Sequence, residues 1–344
     1  MNIYFRTNYN IQQGIGNFMR AVTLATKLQK NNFCTIILDK KIDKKKFKNL
    51  NLNFDYLYND NYQFKSEVVD AKKFSLRIKK NSIIIVDDYR IGDVWEKIVT
   101  KNSKKLVAIC DNYKKKHYVD FLINTKPLLN NPNPKIFNNI KNNNKRNCSF
   151  LLGHKYAFIK NSSKIIKNKK KPFTITFYNG GSSSLLIYSK LIKLIVGNKK
   201  LINKKIKIKI IIGPLSQNIK STLKVFSKIM RVKIIKDKLD LGEELVNTDL
   251  MVSSTGLIFY ESTYYKIPTI FIKMVNNQDI DNYSIQNFGQ IMVLTKKDLT
   301  QTNKMGSLIV LLINNYKRIT EYLSKPNYNI DGNGPSRIAK KILR

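Results

Sequence analysis

Three times along this chain an apolar run ends in a loop of small residues that opens into a helical pattern. That repetition constrains the fold more than any other feature. Ile3-Tyr4-Phe5 passes through a polar loop into Gly14-Ile15-Gly16-Asn17, then the periodic residues Phe18, Ala21, Val22, Leu24, Ala25 and Leu28. Phe173–Phe177 runs into Asn179-Gly180-Gly181-Ser182-Ser183-Ser184, followed by Leu185, Leu186, Leu191, Leu194 and Ile195. Asp249–Ser253 runs into Ser254-Thr255-Gly256 and the helical pattern LIFYESTYYK, which puts Glu261 on the second turn. A strand, a glycine turn and a helix start aim backbone N–H groups and a positive helix end at an anion. Glycine lets the main chain approach that ligand closely, and serine hydroxyls add donors to it. No Gly-Lys-Ser/Thr follows any of the loops, so none is a Walker A motif.

The remaining apolar runs extend the alternation. Phe33–Leu38 is a continuous apolar stretch of the kind a buried parallel strand requires. Residues 40–80 are rich in lysine and weakly patterned, which predicts short helices and loops. Ser82–Val86 ends in Asp87-Asp88-Tyr89, and acidic residues at a strand's carboxyl edge sit where open α/β sheets bind ligands. A helix N-cap is the competing role for these aspartates. Leu106–Ile109 and Asp120–Ile123 read as further strands, with Asp111 just past the first of them. Prolines and an Asn/Lys tract over 126–147 mark a loop, and the linker between halves falls within 150–171. In the second half, Ile206–Ile212, Val232–Ile235 and Pro268–Lys273 read as strands, and Ile309–Leu323 as helical. A glycine turn and helix, IDGNGPSRIAKKIL, close the chain. The expected fold class is α/β, with two Rossmann-like domains facing across a cleft. The expected boundaries are 1–160 for the sugar and catalytic side, 161–327 for nucleotide binding, and 328–344 for the closing turn and helix.

A length of 344 residues suits two domains, and 42% hydrophobic content suffices for their cores. No run of roughly 18 apolar residues predicts a membrane span. The first residues enter a strand directly, without an export signal. Cys34, Cys110 and Cys148 lie far apart and read as reduced residues of a cytoplasmic protein. The formal charge of +40 comes from lysine interleaved with asparagine and isoleucine over the whole length. We read it as compositional bias, since no RNP, KH, zinc-finger or helix-turn-helix signature accompanies it. It predicts no specific nucleic-acid partner, although a basic surface steers small anionic substrates. The pattern calls for neither a cofactor nor a metal.

In their joint order these pieces resemble the UDP-sugar hydrolase of pseudaminic-acid biosynthesis, a relative of the peptidoglycan N-acetylglucosaminyl transferase. The matching pieces span nearly the whole chain. They are Arg6 with Gly14, Gly16 and Arg20, Asp87-x-Tyr89 with Trp95-Glu96, and Leu151–Ile159 with Tyr156. Gly180-Gly181-Ser182, Ser253–Glu261, Asn277-Gln278 and Asp331-Gly332-x-Gly334 follow. The resemblance implies a GT-B architecture whose second domain holds UDP. Gly180, Gly181, Ser182 and Ser254, Thr255, Gly256 would face the diphosphate. Glu261 would bind the ribose, a role that suits a carboxylate because it accepts two hydrogen bonds from a vicinal diol. Asn277 and Gln278 would lie near the nucleotide sugar, and Arg6, Gly14, Gly16, Arg20, Tyr89 and Tyr156 on the sugar side. The implied reaction releases UDP from the anomeric carbon of a UDP-deoxy-diacetamido sugar.

The chain departs from the family at its base. The family pattern is Gly-x-Gly-His, but residue 17 is Asn, which cannot accept a proton at neutral pH. His117, in KKKHYVD, reads as a solvated surface residue, and His154 as structural. Three readings follow. Asn17 orients a water whose proton passes to Asp87 or Asp88, or the chain is a glycosyltransferase using an acceptor-supplied or aspartate base. The third is a non-catalytic nucleotide-sugar binder.

Overall fold

The computed structural model describes all residues except 12–13, 44–46, 48–50, 59–63, 113, 127–137, 140, 142–146, 161–171, 203–204, 237, 275–281 and 324. The chain divides into two compact units, Met1–Ile159 with Asp331–Arg344, and Lys160–Ile330. The closing glycine turn and helix, expected as a separate segment, therefore belong to the first unit.

The first unit is a seven-stranded parallel sheet. Its strands are β1 (Asn2–Thr7), β2 (Phe33–Leu38), β3 (Asn53–Tyr56), β4 (Ser82–Asp87), β5 (Ser103–Ile109), β6 (Phe121–Asn124) and β7 (Ser149–Leu152). They lie in the order β3-β2-β1-β4-β5-β6-β7, so the winding reverses between β1 and β4. Ile3, Tyr4, Phe5 and Arg6 pair with Ile83, Ile84, Ile85 and Val86. Both strands are buried almost throughout, which is why they read as continuous apolar runs. Helices α1 (Gly16–Leu28), α2 (Glu67–Ser75) and α3 (Asp93–Val99) follow β1, β3 and β4.

The second unit repeats the winding with β8 (Thr174–Tyr178), β9 (Lys207–Ile211), β10 (Val232–Ile235), β11 (Leu250–Ser254), β12 (Thr269–Lys273) and β13 (Met292–Thr295). Their order is β10-β9-β8-β11-β12-β13, again parallel, with the reversal between β8 and β11. One apolar core, including Phe177, Tyr188, Ile210, Phe226, Val252 and Ile309, holds this sheet to its helices.

Four local expectations need correction. The lysine-rich 40–80 stretch contains an edge strand, β3, as well as α2. Edge strand β13 is likewise absent from the sequence reading: its apolar run is only Ile291–Leu294, and both edge strands are only partly buried. The Gly180 loop does not open directly into a helix, because a short turn at Leu186–Tyr188 precedes the helix Ser189–Gly197. The helical run near 309–323 is two helices, Thr302–Asn314 and Tyr316–Leu323.

The helix Gly334–Leu343 packs on α1 of the first unit, and Lys105 Nζ donates to the Ile342 carbonyl at 3.0 Å. Its first glycine is required by space. A Cβ on Gly334 would stand 2.1 Å from the Ala157 carbonyl oxygen and 2.6 Å from the Tyr156 carbonyl carbon. Gly16, by contrast, begins α1 in open space, and a Cβ there would meet nothing within 4 Å. Gly334→Ala should therefore destabilise by about 1–3 kcal/mol or more, the usual cost of overpacking. Gly16→Ala should be neutral or gain up to about 1 kcal/mol through the unfolded chain. Urea unfolding of the two variants checks the contrast.

Candidate functional site

The carboxyl edge at the β1/β4 reversal is filled by paired charge. Arg6, fully buried on β1, donates from Nε to Asp70 Oδ1 at 3.0 Å and from Nη2 to Asp70 Oδ2 at 2.6 Å. It also reaches the Thr7 carbonyl at 2.7 Å and the Asp39 carboxylate. Trp95 Nε1 donates to the same Asp70 at 2.8 Å. Asp88 accepts from Arg90 Nη2 at 2.8 Å, Arg90 Nε at 3.1 Å and Asn8 Nδ2 at 2.5 Å. Arg20, on the second turn of α1, grips Asp87 through Nε and Nη2, each at 2.8 Å. Its Nη1 reaches Asp111 Oδ2 at 2.5 Å, and the Tyr89 hydroxyl donates to Asp111 at 3.2 Å. Asp39, Asp70, Asp87, Asp88 and Asp111 thus surround Arg6, Arg20 and Arg90.

The carboxylates divide by environment. Burial, with the like charges of Asp111 and Asp88, pushes Asp87 up to about 7 against the pull of Arg20. Asp88 stays below the usual carboxylate range despite burial, because Arg90 and Arg6 hold its charge. Asp111 is lowered in the same way, chiefly by Arg20. Asp88 is therefore held ionised by its guanidinium partners. Asp87 titrates near neutrality.

Asn17 is buried, and its Oδ1 accepts from Arg20 Nη2 at 3.0 Å. Arginine only donates, so this bond fixes the amide orientation. Nδ2 is left as a buried donor with no partner among the described residues, as is the Thr7 hydroxyl. Position 17 thus offers a buried hydrogen-bond donor. Gly14 has a positive φ of 75° and bridges to Asn10. Tyr89 is exposed. Tyr156 is brought elsewhere, buried in the turn that seats Gly334.

His117 corrects the sequence reading outright: it is buried, not solvated. Its Nδ1 lies 2.7 Å from Glu96 Oε1, and the Tyr118 N–H donates to Glu96 Oε2 at 2.5 Å. Glu96 is fully buried on α3 beside Trp95 and needs such donors. The flanking lysines of KKKH conceal this from sequence.

In the second unit the loops after β8 and β11 meet. A Cβ on Gly180 (φ 72°) would touch Ser254 Oγ at 3.4 Å. Gly213 lies against Gly180 and Gly181 so closely that a Cβ there would stand 2.5 Å from the Gly180 carbonyl oxygen. The Leu215 N–H donates to the Gly181 carbonyl at 2.8 Å and that of Gln217 to the Ser182 carbonyl at 3.2 Å. Gly213 carried no motif signal. Asn179 donates through Nδ2 to the Ser184 carbonyl at 2.8 Å, leaving Oδ1 buried without a partner among the described residues; Ser253 Oγ is likewise unpaired. Ser254 and Thr255 are buried, and Gly256 (φ 135°) caps the helix Leu257–Tyr264. Glu261, half-buried on that helix, is pushed up to about 7 by burial and by Asp240, against Lys160. Its charge acts on the Tyr178 phenol, which ends β8. Asn277 and Gln278 lie outside the described residues. Among the described residues no group of His, Cys, Asp and Glu is arranged to hold a metal, and no helix is long and apolar enough to cross a membrane.

No family model matches the chain. It is 24% identical over 285 residues to the uncharacterized protein MJ1062 of Methanocaldococcus jannaschii, covering 79% of this chain and 55% of that protein. The chain thus spans about half the length of that curated relative. Acinetobacter baumannii MurG superposes with a TM-score of 0.61 at 11% identity, covering 99% of each chain. The pneumococcal O-GlcNAc transferase GtfA, in complex with UDP and GlcNAc, gives 0.63 at 11%, over 100% of this chain and 98% of that one. Anabaena Alr3699/HepE, in complex with UDP and glucose, gives 0.56 at 10%, over 100% and 99%. Likeness at this level of identity establishes the fold, two parallel-sheet α/β domains of the GT-B type.

Proposed function

We propose that this chain is a cytoplasmic GT-B glycosyltransferase using a UDP-sugar donor, with the nucleotide held by Lys160–Ile330. The observation that carries this reading is the junction of the Gly180 and Ser254 loops at the β8/β11 reversal. Asn179 Oδ1 and Ser253 Oγ, on the two residues that flank it in sequence, are buried without a partner among the described residues, and the Glu261 charge acts on Tyr178 at the end of β8. A diphosphate would take the loop amides and the N-terminus of Leu257–Tyr264, and the ribose diol would donate to Glu261. The same donors stabilise the charge that develops on UDP as it leaves, so departure needs little acid help. The UDP-bound solved structures of similar fold support the reading. The buried Asn17 N–H and the Asp87–Arg20–Asp111 group supply sugar-side contacts in the first unit, with Asp87 as the proton acceptor.

Hydrolysis of the same donor, as in the pseudaminic-acid family, is the second reading. It is favoured by the order of the matching pieces and by Asp87, whose titration near neutrality suits a base for water. NMR of the purified protein with UDP-sugars separates the two. Product that forms only with an acceptor alcohol supports transfer, and free sugar with UDP supports hydrolysis. UDP binding without turnover would leave a binder.

At the nucleotide site, Glu261→Ala should weaken UDP by about 1–3 kcal/mol, the cost of unpaired buried donors. In the parent protein, UDP affinity should rise between pH 6 and pH 8 as the Glu261 carboxyl, at about 7, ionises. That rise should flatten in Glu261→Gln, and calorimetry across the range reads both. Position 17 separates the chemistries: under hydrolysis, Asn17→His should speed acceptor-free UDP release by about 10²-fold, the worth of a positioned base. Under transfer it should not.

A further inference from the structure

Strand β9 runs beside β8 in parallel, with Ile211 in register with Tyr178, so the loops after the two strands leave the sheet side by side. The β9 loop opens on a tight turn. The Ser216 N–H donates back to the Gly213 carbonyl at 3.1 Å, and Pro214 stands second in the turn, where its fixed φ suits the geometry. Gly213 fits there only without a side chain. A Cβ would stand 2.5 Å from the Gly180 carbonyl oxygen and 2.6 Å from that of Gly181. Further along, the Leu215 N–H donates to the Gly181 carbonyl at 2.8 Å and the Gln217 N–H to the Ser182 carbonyl at 3.2 Å. Three consecutive carbonyls of the β8 loop thus face the β9 loop.

A trans peptide points its C=O and the N–H that follows in opposite directions. Holding the carbonyls of Gly180, Gly181 and Ser182 against the β9 loop therefore turns the N–H groups of Gly181, Ser182 and Ser183 away from it. None of these three N–H groups donates to a protein group among the described residues, and all three residues are only half-buried, open to a ligand. Asn179 Nδ2 closes the far end of the loop on the Ser184 carbonyl at 2.8 Å. On the other flank Ser253, in register with Tyr178, is fully buried with its hydroxyl unpaired among the described residues. Successive N–H groups on one side of a turn form a concave seat for an anion. Turned the other way, the same loop would present carbonyl oxygens and repel it. The glycine loop of the first unit has no such backing among the described residues, since a Cβ on Gly16 would meet nothing within 4 Å.

We propose that Gly213 is a positioning residue of the nucleotide site: packed without a side chain behind the β8 loop, it presets the Gly181, Ser182 and Ser183 N–H groups as the seat of a diphosphate. On the UDP reading, from which this follows, the loop recognises the charged phosphoryl oxygens rather than the base or the ribose. Because the β9 loop already holds the peptides in place, the ligand is spared the entropy of ordering them.

Full-length protein carrying nitrogen-labelled glycine and serine is titrated with UDP and, separately, with inorganic pyrophosphate, and its amide resonances are followed by NMR. Both ligands should move the Gly181, Ser182 and Ser183 N–H signals downfield and leave that of Ser216, whose N–H is held by Gly213, in place. Gly213→Ala should lower UDP affinity at least about tenfold, the effect of losing one or more hydrogen bonds to a charged group. Uridine, which lacks the phosphates, should bind this variant as it binds the parent, whereas a variant that had lost its fold would lose both ligands. The shifts in the unsubstituted protein keep the test decisive if Gly213→Ala folds poorly. Pyrophosphate shifts at the three amides without UDP binding would uphold the seat and contradict the UDP reading. Titrations that leave all three amides unmoved, or a folded Gly213→Ala variant with the parent's UDP affinity, would overturn the proposal.

Discussion

The first unit depends on one shared guanidinium. Arg20 holds Asp87 at the end of β4 and Asp111 past β5, and it also donates to the Asn17 side-chain oxygen. This ties α1 to two adjacent strands across the point where the sheet reverses. Arg6 does the corresponding work for β1, joining it to Asp39 after β2 and to Asp70 on α2. Such pairs add little net stability over an apolar core, but removing one partner leaves a buried charge and costs about 3–5 kcal/mol. Their value here is positional. They fix a strand edge dense in carboxylates inside a chain whose net charge is +40. The lysines are spread along the sequence, whereas five of the 23 acidic residues meet at this edge.

That concentration explains why Asp87 and Asp88, adjacent in sequence, differ. Asp88 has Arg90, Arg6 and Asn8 around it and stays ionised. Asp87 shares its single cation with Asp111 and sits deeper in a field of like charge, so its proton is held to about 7. In sequence the two are equivalent aspartates at a strand end. Only the partners supplied by α1 and by Arg90 separate them.

Central strands are legible because burial on both faces writes an unbroken apolar run, as in β1, β4 and β8. Edge strands β3 and β13 are not: β3 is polar at two of its four residues, and the apolar run of β13 is short and only partly buried. The glycines show the same limit. Gly180 and Gly256 adopt positive φ at the loops where the motifs place them. Gly16, equally prominent in sequence, occupies open space, whereas the unremarked Gly213 is the one that lets the Gly180 loop pack. His117 reads wrongly from sequence because local lysines dominate its surroundings there, while its partner Glu96 lies on another element.

The central claim is that UDP binds at the β8/β11 reversal of Lys160–Ile330. Hydrogen–deuterium exchange with and without UDP tests it most directly. Protection should appear in 178–184 and 253–262, where the loop amides and the start of the Glu261 helix converge. Protection confined to Met1–Ile159, or none at saturating UDP, would contradict it.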